Sequence, residues 1–203
     1  MRSGASDPLV SIFGLGNVLL SDDGFGCLAV EGFRCEYECG SEVEVIDLGT
    51  PGLDLAPYLY GRDLVVIVDA VTADGKPGTV RTYNESDLND CRAHLRLTDH
   101  DPGLQESLAQ LRLAGGGPSE VMVLGVIPES CAFGEAISPV VLAATSPAIE
   151  SILRLLRERG FECRKRRYPQ QPKLWWLCDS TSNHAGPACA EPAAQVLSSR
   201  SQG

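Results

Sequence analysis

Leu64-Val65-Val66-Ile67-Val68-Asp69 is the stretch on which the fold turns. Five apolar residues in a row, four of them β-branched, are what a strand covered on both faces requires. An acid then ends the run. A carboxylate there is costly if it is buried without a partner, and in open α/β sheets ligands collect beyond the carboxyl ends of the strands. Asp69 therefore reads as a residue facing a crevice or holding a structural partner, its position at the strand end favouring the crevice.

Outward from this strand, short β-like runs alternate with helical stretches, the pattern of a layered α/β domain with a largely parallel sheet. Residues 9–14 predict a first buried strand. Phe25, Leu28, Ala29, Gly32 and Phe33 share one face of a helix over 25–38. Residues 42–48 alternate polar and apolar, as suits a strand with one face nearer solvent. A short helix is expected within 52–60. A fourth strand at 79–83 follows the turn Asp74-Gly75-Lys76-Pro77-Gly78. Leu104, Leu108 and Leu111 mark a helix from about 102 to 113, stopped by Gly115-Gly116-Gly117-Pro118, and 121–127 is a fifth strand. Ser138-Pro139 is a helix start. Ile149, Ile152, Leu153 and Leu156 form the stripe of the last helix, which Pro147 either kinks or restarts with Ser146 as cap, and Gly160 ends it.

The 203 residues suffice for one domain with a sizeable core. A formal net charge of −10 argues against nucleic acid and against an anionic membrane surface. It suits a positively charged peptide or a metal-bearing partner, although solubility alone also accounts for it. No uninterrupted apolar stretch has bilayer length, and the first residues lack the layout of a signal peptide, so a cytoplasmic location is expected. None of the eight cysteines forms a CxxC pair, and most read as small apolar residues. Composition shifts at Cys163. A domain over 1–162 is expected to precede a largely disordered extension over 163–203, with the basic cluster Arg164-Lys165-Arg166-Arg167 and repeated prolines. Trp175-Trp176 within it is expected to dock on the domain or on a partner.

Three residues carry the chemistry. Gly14-Leu15-Gly16-Asn17 opens a strand-to-helix turn that ends in Asp22-Asp23-Gly24-Phe25-Gly26. A dinucleotide fingerprint fails here, because Leu19 stands where Gly or Ala is needed. Two carboxylates would also repel phosphate at the helix start. Twin aspartates exceed what a cap needs, so Asp22 is assigned to capping and Asp23 to the cleft. His100, in Thr98-Asp99-His100-Asp101-Pro102, abuts a predicted helix, unlike His94 and His184. Asp23, Asp69 and His100 make a mixed oxygen–nitrogen set. It could hold a divalent ion such as nickel or zinc, or perform acid–base work. Cys27 lies near this set and is read as packing.

These segments together resemble the hydrogenase maturation endopeptidases, which process the large subunit of nickel-iron hydrogenases. Besides the 14–26 motif, the likeness is carried by Asp47-Leu48-Gly49-Thr50 with Gly52-Leu53, by Val68-Asp69-Ala70, by His100 with Gly103-Leu104, by Gly125 with Pro128-Glu129, and by Ser138-Pro139. They occur in order across about residues 9–160. The resemblance implies a three-layer α/β sandwich, with a twisted, mainly parallel five-stranded sheet flanked by helices. It implies an aspartyl-type endopeptidase acting as a monomer. The substrate is the precursor of the large subunit, cut once after nickel insertion. It implies that Asp23, Asp69 and His100 contact nickel sensed in the substrate and not permanently bound. Two alternatives stay in view: a non-catalytic nickel- or precursor-binding maturation module, and a Rossmann-like nucleotide-binding enzyme.

Overall fold

A computed structural model describes residues 9–51, 55–89, 96–97, 101–172, 174 and 176; at 88–89, 96–97 and 101–103 it describes the backbone only. The elements are β1 (Val10–Leu15), a 3-10 turn (Ser21–Gly24), α1 (Phe25–Glu36), β2 (Tyr37–Cys39), β3 (Val43–Gly49), α2 (Ala56–Leu59), β4 (Leu64–Thr72) and β5 (Val80–Asn84). They continue with α3 (Glu85–Asn89), β6 (Arg96–Leu97), α4 (Asp101–Leu113), β7 (Glu120–Val126), α5 (Pro139–Ala143), α6 (Thr145–Glu158) and β8 (Cys163–Lys165).

The main sheet runs in the order β3-β1-β4-β7-β5, so the apolar run at 64–68 lies at its centre. β1 pairs with β3 and β4 in parallel, and β4 pairs with β7 in parallel. β5 is the exception, running antiparallel to β7 at the edge. Its reason is connection length: only Ala73–Thr79 separates it from β4, whereas a parallel return needs a crossover of a dozen residues or more. The two-residue β6 pairs antiparallel with the end of β4, Leu97 opposite Val71. The expected α/β fold, with a five-stranded mixed, mainly parallel sheet packed against helices, is the observed one.

Alternate residues of β4 feed two cores, as the two-residue period of a strand demands. Val66, Val68 and Ala70 pack with Phe25, Ala29 and Phe33 of α1 and with Ile149 and Ile152 of α6. Val65, Ile67 and Val71 pack with Leu55, Leu59 and the α4 residues Leu104, Leu108 and Leu111. Ser138 caps α5, its Oγ accepting the Val141 N–H, with Pro139 in the first turn. The break before α6 falls at Ala144, so Pro147 sits within the first turn of α6 and Ser146 is not its cap. Proline is tolerated there because first-turn N–H groups have no helical partner. Pro139–Glu158 has the length and mean hydropathy (1.4) of a membrane-crossing helix. Here its apolar face is core, with Ala148, Ile149, Ile152 and Leu156 buried.

The chain stays on the domain past residue 162. β8 pairs antiparallel with β2, a Cys39–Cys163 disulfide joins directly opposed residues of the two strands, and Leu174 is buried in the α1–α6 core. The bridge corrects the reading of these two cysteines as plain apolar residues. Their juxtaposition comes from pairing across a sequence separation of 124. Residues 177–203 lie outside the described residues.

One close approach sets the site. A Cβ on Gly26 would lie 2.2 Å from the carbonyl oxygens of both Leu15 and Val68, and one on Gly14 would lie 2.5 Å from the Gly26 oxygen. The first turn of α1 therefore sits directly on the ends of β1 and β4. Gly26→Ala must push α1 off both strands. Overpacking of this kind typically costs about 1–3 kcal/mol, so the urea midpoint is expected to fall by a corresponding amount relative to wild type.

Candidate functional site

β1 and β4 are neighbours whose chains leave in opposite directions, β1 towards β3 and β4 towards the β7 side. The crevice beyond their carboxyl ends is thus the topological switch point at which such sheets bind ligands. Asp69 enters it from β4. Asp23 enters it from the 3-10 turn that links β1 to α1. Their relative exposures are 0% and 4%, so both carboxylates are withdrawn from bulk water.

Asp23 is oriented by its own loop. Its Oδ2 accepts the Asn17 N–H at 2.7 Å. Gly16, at φ +131°, lies so close that a Cβ there would stand 1.8 Å from the Asp23 carbonyl oxygen. Only glycine both adopts that backbone and leaves room. Ser21 takes a left-handed conformation at φ 50°, held by its Oγ donating to the Ala136 carbonyl at 2.8 Å. Such strain persists where surrounding contacts over-determine it.

Asp69 is left half-satisfied. Oδ1 accepts the Ala70 N–H at 2.8 Å, while Oδ2 is buried without a hydrogen-bond partner. Burial, and then the neighbouring Asp23 carboxylate, push the Asp69 carboxyl well above the usual range; the Ala70 N–H opposes them and loses. Two buried acids thus stand close enough to repel each other, one of them with an oxygen that no hydrogen bond satisfies. His100, the third residue expected here, lies outside the described residues. Among the described residues no three His, Cys, Asp or Glu side chains group to hold a metal.

Asp22 does not cap a helix. It is buried and serves as a bolt across the chain. Its carboxylate accepts the N–H groups of Glu129 at 2.8 Å, Ser130 at 3.1 Å and Ser138 at 2.6 Å, with the Ser138 hydroxyl at 2.9 Å. The capping role expected of Asp22 thus fails, while Asp23, expected to face the cleft, is buried in the same turn. Every partner of the Asp22 carboxylate is more than 100 residues away, and no local signal in the sequence points to them.

The nearby thiols are poor nucleophiles. Cys27 donates to the Gly16 carbonyl at 3.5 Å, and burial together with Asp47 pushes its thiol far up. Burial, Asp23 and Asp22 push Cys131 up to about 11. A thiol that stays protonated is inert at neutral pH, so neither cysteine is read as a nucleophile. Beside them opens a cleft of roughly 200 Å³, lined by the Gly16–Asn17 loop, Cys27, Asp47, Gly49–Thr50 and Trp176.

The family model described as "Hydrogenase maturation protease" matches residues 27–155. The Hydrogenase 2 maturation protease of Escherichia coli K12 is 33% identical over 154 residues, spanning 75% of this chain and 93% of that protein. The solved hydrogenase maturating endopeptidase HybD from E. coli superposes with a TM-score of 0.71 at 34% identity, covering 77% of this chain and 97% of that one. The [NiFe] hydrogenase maturation protease HybD from Thermococcus kodakarensis does so with a TM-score of 0.59 at 28% identity, covering 72% and 97%.

The two aspartates are expected to respond to mutation with opposite sign. Asp22→Ala removes a buried acceptor from three part-buried N–H donors and should destabilise the fold by about 1–3 kcal/mol, seen in urea unfolding. Asp69 binds its proton more tightly folded than unfolded. The stability it contributes is therefore present at acid pH and lost as pH rises from the unfolded carboxyl range, about 3.9, through the raised folded value. Asp69→Asn removes that loss. It should match wild type in acid and be the more stable protein at neutral pH, by about 1–3 kcal/mol.

Proposed function

This chain belongs to the hydrogenase maturation protease family, and from that premise we propose that it is the endopeptidase that removes the C-terminal extension from a nickel-iron hydrogenase large-subunit precursor after nickel insertion. The single observation carrying this reading is the unpartnered Oδ2 of Asp69, buried beside Asp23 at the switch point. An oxygen that is buried, unsatisfied and next to a second carboxylate awaits a positive charge. Nickel arriving as part of the substrate supplies one. Binding it displaces the proton from Asp69 and relieves the repulsion between the two acids.

In this reading Asp23 and Asp69 grip the ion from the 3-10 turn after β1 and from the end of β4, and His100 completes the set with an imidazole nitrogen. The described elements that flank His100 are compatible with this. β6 ends at Leu97, paired with Val71 only two residues beyond Asp69, and α4 begins at Asp101. Mixed oxygen and nitrogen donors suit a borderline ion such as nickel. The protease needs no metal of its own, because the ion it reads belongs to its substrate.

Peptide hydrolysis needs a general base and a held carbonyl. The Asp23–Asp69 pair supplies the base. With the Asp69 proton displaced by the incoming ion, the pair can take a proton from an attacking water. Gripping the substrate's nickel holds the scissile segment within reach of that water, and orientation of this kind accounts for much of a catalytic advantage. A precursor without nickel lacks the anchor and is left uncut.

We assign the reaction to the cytoplasm and to a monomer, with neither nucleic acid nor membrane as partner. A reducing cytoplasm opposes the Cys39–Cys163 bond. The β2–β8 ladder and the main-chain bonds Arg166 N–H to Glu36 and Gln170 N–H to Cys35 hold that segment without it.

Asp23→Asn, Asp69→Asn and His100→Ala are each expected to lower the processing rate by at least about a hundredfold, with circular dichroism of the folded domain unchanged. The assay is conversion of a nickel-loaded precursor to its shorter product on a gel. Precursor retained by wild-type protein with no shorter product would instead favour a binding module that does not cut. Wild-type rates in all three variants would remove the assigned site.

A further inference from the structure

Four consecutive cations, Arg164-Lys165-Arg166-Arg167, follow the bridged Cys163 on a chain whose formal charge is −10. The proposed reaction has no use for them. β8 lays the start of this run against β2, and three residue pairs make the whole ladder: Tyr37 with Lys165, Glu38 with Arg164, and Cys39 with Cys163. Beside the ladder lies a pocket of roughly 340 Å³, lined by Arg34, Tyr37, Glu38, Cys39, Arg166 and Gln170 among others. It shares no residue with the cleft beside Asp23. Its volume falls in the range that holds whole small molecules, about 300–1,000 Å³.

The charges in its wall select an anion. Two arginines stand against one acid, Glu38, whose side chain is 71% exposed. Arg166 is held by its Nε, which donates to the Arg34 carbonyl at 3.1 Å, while its Nη1 lies 3.7 Å from Glu38, too far for a hydrogen bond. Arg34 pairs with Glu31 at 3.2 Å, its own side chain 47% exposed. Exposed ion pairs hold weakly, and a guanidinium carries five N–H donors. Both arginines therefore keep donors for an incoming carboxylate. The Phe33 and Tyr37 rings, stacked at 5.5 Å, add an aromatic wall. Cys39 forms part of the same wall, and both it and Cys163 are only half-buried.

We propose that this pocket seats a small thiol bearing carboxylates, which opens the Cys39–Cys163 bond by exchange, so that the bond is a redox latch on the C-terminal segment. The inference does not rest on the peptidase reading. One thiolate attacks a sulfur of the bridge; a mixed disulfide forms, the Cys39–Cys163 bond breaks, and the other cysteine leaves as thiolate. A second thiolate attacks the mixed disulfide and frees the first cysteine. Two small thiols are oxidised to their disulfide, and their two protons end on Cys39 and Cys163. The small disulfide drives the reverse reaction.

What the latch holds is the chain that runs on from β8. Arg166 N–H donates to the Glu36 carbonyl, Gln170 N–H donates to the Cys35 carbonyl, Leu174 enters the core and Trp176 lines the cleft beside Asp23. A two-stranded ladder is marginal by itself. A cross-link restrains the open chain most when it closes a long loop, and this one spans a separation of 124 residues. Once the bond is reduced the ladder persists but opens more often.

Two measurements on the full chain test this. In the first, the disulfide-bonded protein is treated with glutathione, with neutral 2-mercaptoethanol or with cationic cysteamine. Thiols freed at Cys39 and Cys163 are alkylated and quantified by peptide mass spectrometry. Rates are compared per thiolate, the attacking species. Glutathione should act about tenfold faster than 2-mercaptoethanol, with a rate that saturates, and cysteamine should be slowest. Arg34→Gln with Arg166→Gln should bring the ratio of the glutathione rate to the 2-mercaptoethanol rate down to about one, a ratio that general loosening of the ladder does not move. Equal rates for the three thiols, an unchanged ratio in the double variant, or a bond opened only by a protein dithiol overturns the pocket assignment. The second measurement is nicking by trypsin within 164–167. Reduced and alkylated protein should be nicked about tenfold faster than the disulfide-bonded form, because cleavage follows the population of the open ladder. Cys163→Ser should be nicked at the fast rate whether or not it has met a thiol. Equal nicking of the bonded and reduced forms overturns the latch.

Discussion

A carboxylic acid at the end of a strand buried on both faces is the constraint around which this molecule is arranged. Asp69 follows the residues that form the centre of the sheet, so it cannot turn to solvent without breaking the register that places Val65 and Ile67 in one core and Val66 and Val68 in the other. It must sit in the crevice and tolerate its surroundings. Those surroundings offer one N–H, from Ala70, and a second acid. The result is a carboxyl held above its usual range with one oxygen unsatisfied. A buried polar atom left unpaired is a stability liability that a fold tolerates at a functional site.

The rest of the architecture keeps the second acid close. Glycines at 14 and 26 let α1 touch the strand ends, and Gly16 lets the intervening loop fold against the Asp23 main chain. Asp22 then fastens the same turn to the loop that follows β7. Adjacent residues of one type thus perform unlike tasks. Asp22 is saturated with donors and holds loops together, while Asp23 keeps part of its carboxylate for the crevice. Separating structure from chemistry in this way lets the site be rigid and yet incompletely satisfied. A grip on an incoming ion needs both properties, because a preorganised site loses little entropy when it closes.

The C-terminal segment extends this logic. It adds no strand to the main sheet, yet by anchoring Leu174 in the core it carries Trp176 to the mouth of the cleft. The matched relatives align with about three quarters of this chain, so the remaining quarter is where individual character can be added without disturbing the carboxylate pair.

The sequence by itself determined the elements and the ingredients of the site. Runs of β-branched residues, a helical stripe in α6, glycine and proline at the stops, and an acid closing the central strand all act over a few residues, through sterics and periodicity that are readable one residue at a time. They sufficed for the α/β fold and for an acid at the end of its central strand. Tertiary structure alone decided that Asp22 clamps Glu129, Ser130 and Ser138 instead of capping a helix, that Cys39 meets Cys163, and that Trp176 walls the cleft. Each of these depends on which distant groups satisfy one another's buried hydrogen bonds or surfaces. That choice is made by the packing of the whole chain, and local patterns in the sequence carry no trace of it.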